Sequence, residues 1–135
     1  MPSFSLYKET IMTVKEAYER ALALDGCTVQ MDDTMRDKMV HLTNLFLAET
    51  WENENQIRID EHARPLANPA EVKRIEDTIP YSYKLIASAL PFWLAHQILR
   101  EGDDNAWASR YYDMYLNAVQ SATPVLRTPL LDVWR

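Results

Sequence analysis

The stretch LIASALPFWLAHQIL, running from Leu85 to Leu99, places large apolar side chains on nearly every side of a helix: Leu85, Ile86, Leu90, Phe92, Trp93, Leu94, Ile98 and Leu99. A helix with no polar face cannot sit at a surface, so it belongs at the centre of a helical domain. Lys84, Ser88 and His96 interrupt or bound the run, which falls well short of the roughly 20 apolar residues a membrane span needs, so no membrane helix is expected. The helix is read from about Pro80 to Glu101. Pro91 lies in its interior, where the ring removes the hydrogen bond to the Ala87 carbonyl and should kink the axis.

Gly102 follows as a natural left-handed terminator. Asp103 and Asp104 then offer caps to a fourth helix whose Ala106, Trp107, Tyr111, Met114, Ala118 and Val119 recur on one face. The turn is short, so the two helices are expected to lie antiparallel. Thr123, Pro124 and Pro129 break the pattern after Ala122 and leave an extended tail ending Leu130-Leu131-Asp132-Val133-Trp134-Arg135.

Two more helices precede the apolar run. Thr13-Val14-Lys15-Glu16 has capping-box spacing, followed by Val14, Ala17, Tyr18, Ala21 and Leu22 at helical intervals up to Gly26. Asp32, Asp33 and Thr34 announce the second helix, whose inward face is read as Met35, Met39, Leu42, Leu45, Phe46 and Ala48, ending near Trp51 to Asn53. Between Asn53 and Asp77 the periodicity disappears, and the only regular piece is a short β-compatible one, Gln56 to Ile59. The expected fold is therefore all-α, a bundle of about four helices over residues 1–122. A long irregular segment joins helices two and three, and an extended tail covers 123–135.

Composition agrees with one domain. The 135 residues are 47% hydrophobic and 25% charged, enough apolar surface for a single core. A single cysteine, Cys27, excludes an internal disulfide and a cysteine zinc site. The first ten residues carry no basic run and no apolar h-region, so a cytoplasmic site of synthesis is expected. A formal net charge of −6 disfavours gripping a nucleic-acid backbone, because that work needs lysines and arginines to replace counterions. The same sign suits a surface past which DNA slides.

Candidate chemistry is sparse. Asp32, Asp33 and Asp37 could hold magnesium, but acids at a helix start are accounted for by capping. His41, His62 and His96 are scattered, with no pair at metal-ligand spacing. Trp107, Tyr111, Tyr112 and Tyr115 could stack bases, yet only Arg110 among them is basic, which favours a core edge. No catalytic residue, metal or cofactor is assigned, and the chain is read as a non-enzyme. The tail has the strongest claim to function, because Leu130, Leu131, Val133 and Trp134 need cover either from their own core or from a partner. Ile57 and Ile59 in the irregular segment are added as contact candidates.

Several segments together resemble small virion proteins of tailed bacteriophages. They are the opening helix Met12 to Gly26, the run Leu42-Thr43-Asn44-Leu45-Phe46-Leu47-Ala48-Glu49-Thr50-Trp51 with Asn53-Glu54-Asn55 after it, and Ile79-Pro80-Tyr81 leading into Ala89 to Ala95. The acidic turn Glu101 to Asp104 and the Tyr-rich helix complete the likeness, which spans Met12 to Ala122. The relatives it implies are head-to-tail adaptor, or tail accessory, proteins: helical bundles assembling as a homo-oligomeric ring at the neck, between the portal and the tail. In that family an extended C-terminal segment docks on the portal or on neighbouring subunits. The resemblance implies a virion protein made in the host cytoplasm, with portal and neck proteins as partners and double-stranded DNA passing through unread. The alternative is a helical regulatory or scaffolding module that binds one protein and never enters a particle.

Overall fold

The structure, a computed structural model, describes residues 11–24, 33–101 and 105–125. Five helices form there: α1 (Val14–Leu24), α2 (Asp33–Glu49), α3 (Trp51–Asp60), α4 (Tyr83–Glu101) and α5 (Asn105–Ala122). Among the described residues there is no strand, only an isolated antiparallel bridge between Thr13 and Thr78. Gly26, Cys27, Asp32, Gly102, Asp103 and Asp104 lie outside the described residues.

The capping box at the start of α1 is made. Glu16 Oε1 accepts from the Thr13 N–H at 3.0 Å, and Thr13 Oγ1 accepts from the Glu16 N–H at 3.1 Å. The two N–H groups between them are taken by a distant loop: Val14 donates to the Asp77 carbonyl at 3.2 Å and Lys15 to that of Ile75 at 2.9 Å. Ile79 donates back to the Met12 carbonyl at 2.9 Å. The orphan donors of a helix start thus also fasten the loop.

α4 packs against α1, α2 and α5, and the apolar run supplies the middle of the core: Leu85, Ile86, Ala89, Leu90 and Leu94 are all fully buried. Pro91 is inside this helix, which continues to Glu101. Ring contacts give its direction relative to α5. Trp93 meets Tyr115 at 5.2 Å and His96 meets Tyr112 at 4.9 Å, so position rises on one helix as it falls on the other and the two run antiparallel. The same reasoning sets α2 antiparallel to α4, since Trp93 Nε1 donates to the Leu42 carbonyl at 3.2 Å and the Tyr81 hydroxyl to that of Leu47 at 2.6 Å.

Three expectations are corrected. Gln56 to Ile59 is helical, not extended, because the chain resumes a helix directly after Thr50 and makes a fifth helix where an irregular segment was expected. At that junction the Thr50 hydroxyl donates to the Phe46 carbonyl at 2.8 Å and the Glu54 N–H to the Thr50 carbonyl at 2.9 Å, so the hydrogen-bond ladder nearly continues. The inward face of α2 is also rotated from the expected one. Thr43, Leu47 and Thr50 are buried, while Leu45 and Ala48 are exposed, because the row Met39, Thr43, Phe46, Leu47, Thr50 is the one turned to the core. On α5 the core takes Ala108, Tyr111 and Tyr115, leaving Trp107 and Met114 nearly half exposed.

The α3–α4 connection is irregular but anchored. The Asn55 amide pairs with both backbone groups of Leu66, at 2.7 Å from its N–H and 3.0 Å to its carbonyl, and Trp51 Nε1 reaches the same carbonyl at 3.0 Å. Asn44 pairs in the same way with Val72. Val72, Ile75, Ile79 and Tyr81 from this connection are buried in the common core.

Candidate functional site

A concavity lies where the end of α2 and the start of α3 face the last turns of α5. It encloses about 590 Å³, with Leu116, Val119, Pro124 and Val125 as apolar lining and Asn53 and Gln56 as polar rim. Asn53 Nδ2 donates to Thr123 Oγ1 at 3.1 Å, and Thr123 Oγ1 donates to the Val119 carbonyl at 2.6 Å. The point where the chain leaves α5 is therefore tied to α3.

A second hollow of about 310 Å³ adjoins the first, sharing Glu49 as a common wall. Trp93, His96 and Tyr112 give it aromatic sides, and Arg100 stands at its edge. His96 Nδ1 lies 2.8 Å from the Ala108 carbonyl. A carbonyl only accepts, so Nδ1 is the donor in this contact. Behind these rings, Phe46 and Trp93 close on Tyr115 at 6.1 and 5.2 Å, an aromatic floor that fixes the trough's shape. Burial first, and then the Glu49 carboxylate, hold the Tyr115 hydroxyl well above the ordinary phenol range, so it stays a neutral group.

Tyr112, Leu116, Val119 and Thr123 recur along α5 at helical spacing, Tyr112 lining the smaller hollow and the other three the larger. The pair forms one trough along one helix face, open to solvent. Its apolar stripe and polar rim are of the kind that receives a chain segment.

Beneath α3 sits a buried charged network. Glu54 has no exposed surface. Its carboxylate accepts from Arg58 Nε at 2.7 Å, from the Ser82 N–H at 2.8 Å and from the Ser82 hydroxyl at 3.0 Å. Arg58 also donates to the Pro80 carbonyl at 3.0 Å. The arrangement welds the entrance of α4 to α3, which makes it structural.

Of the contact candidates, Leu130, Leu131, Val133 and Trp134 lie outside the described residues. Ile57 has no exposed surface and serves the core, whereas Ile59 is 49% exposed on the other side of α3. A helix separates the two, where an extended piece would have put them on one face. Asp33 and Asp37 are exposed on α2, and among the described residues no three His, Cys, Asp or Glu side chains are grouped as metal ligands. His41 and His62 are exposed and far apart in sequence from His96. Trp107 is covered on one side by the Arg110 guanidinium, 4.9 Å from its ring centre. Among the described residues no helix is long and apolar enough to cross a membrane. Sequence reasoning missed the trough, and its only signal was the i, i+4, i+7, i+11 recurrence from Tyr112 to Thr123, which straddles polar and apolar types.

The chain matches no family model, no curated protein and no solved structure.

Proposed function

We propose that this protein is a head-to-tail adaptor of a tailed bacteriophage, a helical bundle that assembles as a ring between the portal and the tail. What supports the reading is the segment likeness from Met12 to Ala122, carried on a mainly helical chain. Its work is assembly, not turnover. A ring grows when one surface of a subunit meets a different surface of the next, a heterologous contact that closes. The apolar tail residues Leu130, Leu131, Val133 and Trp134 make the contact with the portal or a neighbour, with Trp134 as anchor. The half-exposed Ile59, Trp107 and Met114 are further apolar surface for subunit contacts. The formal charge of −6 lets DNA pass without adhering.

The single observation carrying the proposal is that likeness, and particle composition tests it. Mass analysis of purified virions should find the protein at ring-like copy number. Its absence from particles would remove the adaptor reading in favour of a helical module that binds one protein outside the virion. A Trp134→Ala variant should fold normally and fail to join the portal.

A further inference from the structure

We infer that in the free protein the segment Leu126 to Trp134 lies in the trough of its own chain, along α5. The trough begins where that segment begins. Pro124 and Val125 line the larger hollow, and the Thr123 hydroxyl is held by Asn53 at 3.1 Å, so the chain is delivered into the concavity from a fixed point. Val125 is 89% exposed and Leu116 45%, an aliphatic pair of a kind that water disfavours. The next nine residues bring Leu126, Leu130, Leu131, Val133 and Trp134, five large apolar side chains.

Length fits the path. From Thr123 back to Tyr112 along α5 is about 17 Å at 1.5 Å per residue, whereas nine extended residues reach up to about 30 Å. A segment running back along α5 can therefore cover both hollows. Its leucines meet Leu116 and Val119, and Trp134 reaches the hollow walled by Trp93, His96 and Tyr112, where an indole finds aromatic edges. Covalent attachment at the rim favours this occupant over any other. A segment joined without a linker competes at an effective concentration in the millimolar range, above what a second copy reaches in dilute solution.

The inference concerns the unassembled protein and stands or falls independently of the adaptor reading. Trypsin provides the test, because the Arg127–Thr128 bond lies within the segment and beyond the last helix. Cleavage at Arg127 in the full-length protein should be slow, and about tenfold faster in Leu116→Glu, which puts a charge in the trough at a half-exposed position. Trp134→Ala, a change outside the sequence of α1 to α5, should give a similar acceleration. The parent rate should not change on hundredfold dilution. Cleavage of the parent as fast as of both variants overturns the inference. Protection that disappears on dilution, with a heavier species in sedimentation, assigns the trough to a second copy and overturns it equally.

Discussion

Asn44 and Val72, separated by 28 residues, are joined by both ends of one amide: Nδ2 donates to the Val72 carbonyl at 2.9 Å and Oδ1 accepts from its N–H at 2.8 Å. The side chain thus substitutes for a neighbouring strand and satisfies a buried stretch of irregular backbone. Asn55 repeats the device on Leu66, nearer the surface. Without such clamps, a connection carrying Val72, Ile75 and Ile79 into the core would bring unpaired polar groups with it.

Removing the Asn44 clamp takes the partner from both backbone groups of Val72, whereas without Asn55 the Leu66 carbonyl still accepts from Trp51 Nε1. Asn44→Ala should lower the unfolding free energy by about 2 kcal/mol, and Asn55→Ala by roughly half as much because Leu66 retains access to water. Urea melts of the two variants read this directly. Equal losses, or a loss for Asn44→Ala within error of zero, would show that the clamps do not hold the connection.

The Glu54 network makes a sharper demand. Glu54→Gln keeps the shape but removes the charge facing Arg58, and should cost about 2 kcal/mol. Arg58→Met instead leaves a fully buried carboxylate with only Ser82 to answer it, and should cost about 3 kcal/mol or more. The order of the two in chemical denaturation is the test. If Arg58→Met were the milder change, the carboxylate would have to draw its stability from elsewhere.

These two networks also explain what the sequence concealed. α1 and α4 were legible because their buried positions are apolar or carry a local capping signal, Thr13 with Glu16, that needs no tertiary partner. α3 was not, because two of the inward positions on its stretch are Thr50 and Glu54, which erase the apolar periodicity on which recognition rests. Its end was equally silent, since His62 stands where glycine would have marked a stop. The trough failed to appear for a related reason: its lining comes from the end of α2, the start of α3 and the end of α5, and long-range pairs such as Asn53 with Thr123 leave no local pattern. The faces of α2 and α5 were misjudged by about one position, where Leu45 and Met114 look like core but lie outside it.

His62 closes α3 in a left-handed conformation, with φ of 59°. The Ala63 N–H returns to the Arg58 carbonyl at 2.7 Å and the His62 N–H to that of Ile59 at 3.1 Å, the paired bonds of a Schellman ending. A residue with a Cβ pays for this conformation, and glycine does not. His62→Gly should therefore raise stability by about 1 kcal/mol, seen as a higher melting temperature, while His62→Val should lower it. A His62→Gly protein that melts below the parent would mean that the imidazole makes a contact outweighing the backbone relief.

The alkaline limb of stability should belong to buried tyrosines. Burial pushes the Tyr81 hydroxyl up to about 12 from an ordinary 10.0, with the nearby Glu54 carboxylate adding to it, and Tyr115 is raised in the same direction. Because the folded value is above the unfolded one, this contribution is complete below about pH 10 and is lost as the pH rises towards 12. Asp77 works in the opposite sense. The Lys73 and Arg74 N–H groups donate to its carboxylate and hold it below the usual 3.8, so its contribution is present above that value and disappears as the pH falls through the depressed one. Tyr81→Phe removes the 2.6 Å bond to the Leu47 carbonyl and should cost about 1 kcal/mol at neutral pH. The same variant should lose less stability than the parent between pH 10 and 12, leaving the remainder to Tyr115. Urea midpoints across that range, with tyrosinate absorbance followed in parallel, separate the two effects. An alkaline fall identical in parent and variant would show that Tyr81 ionises only after the chain has already unfolded for another reason.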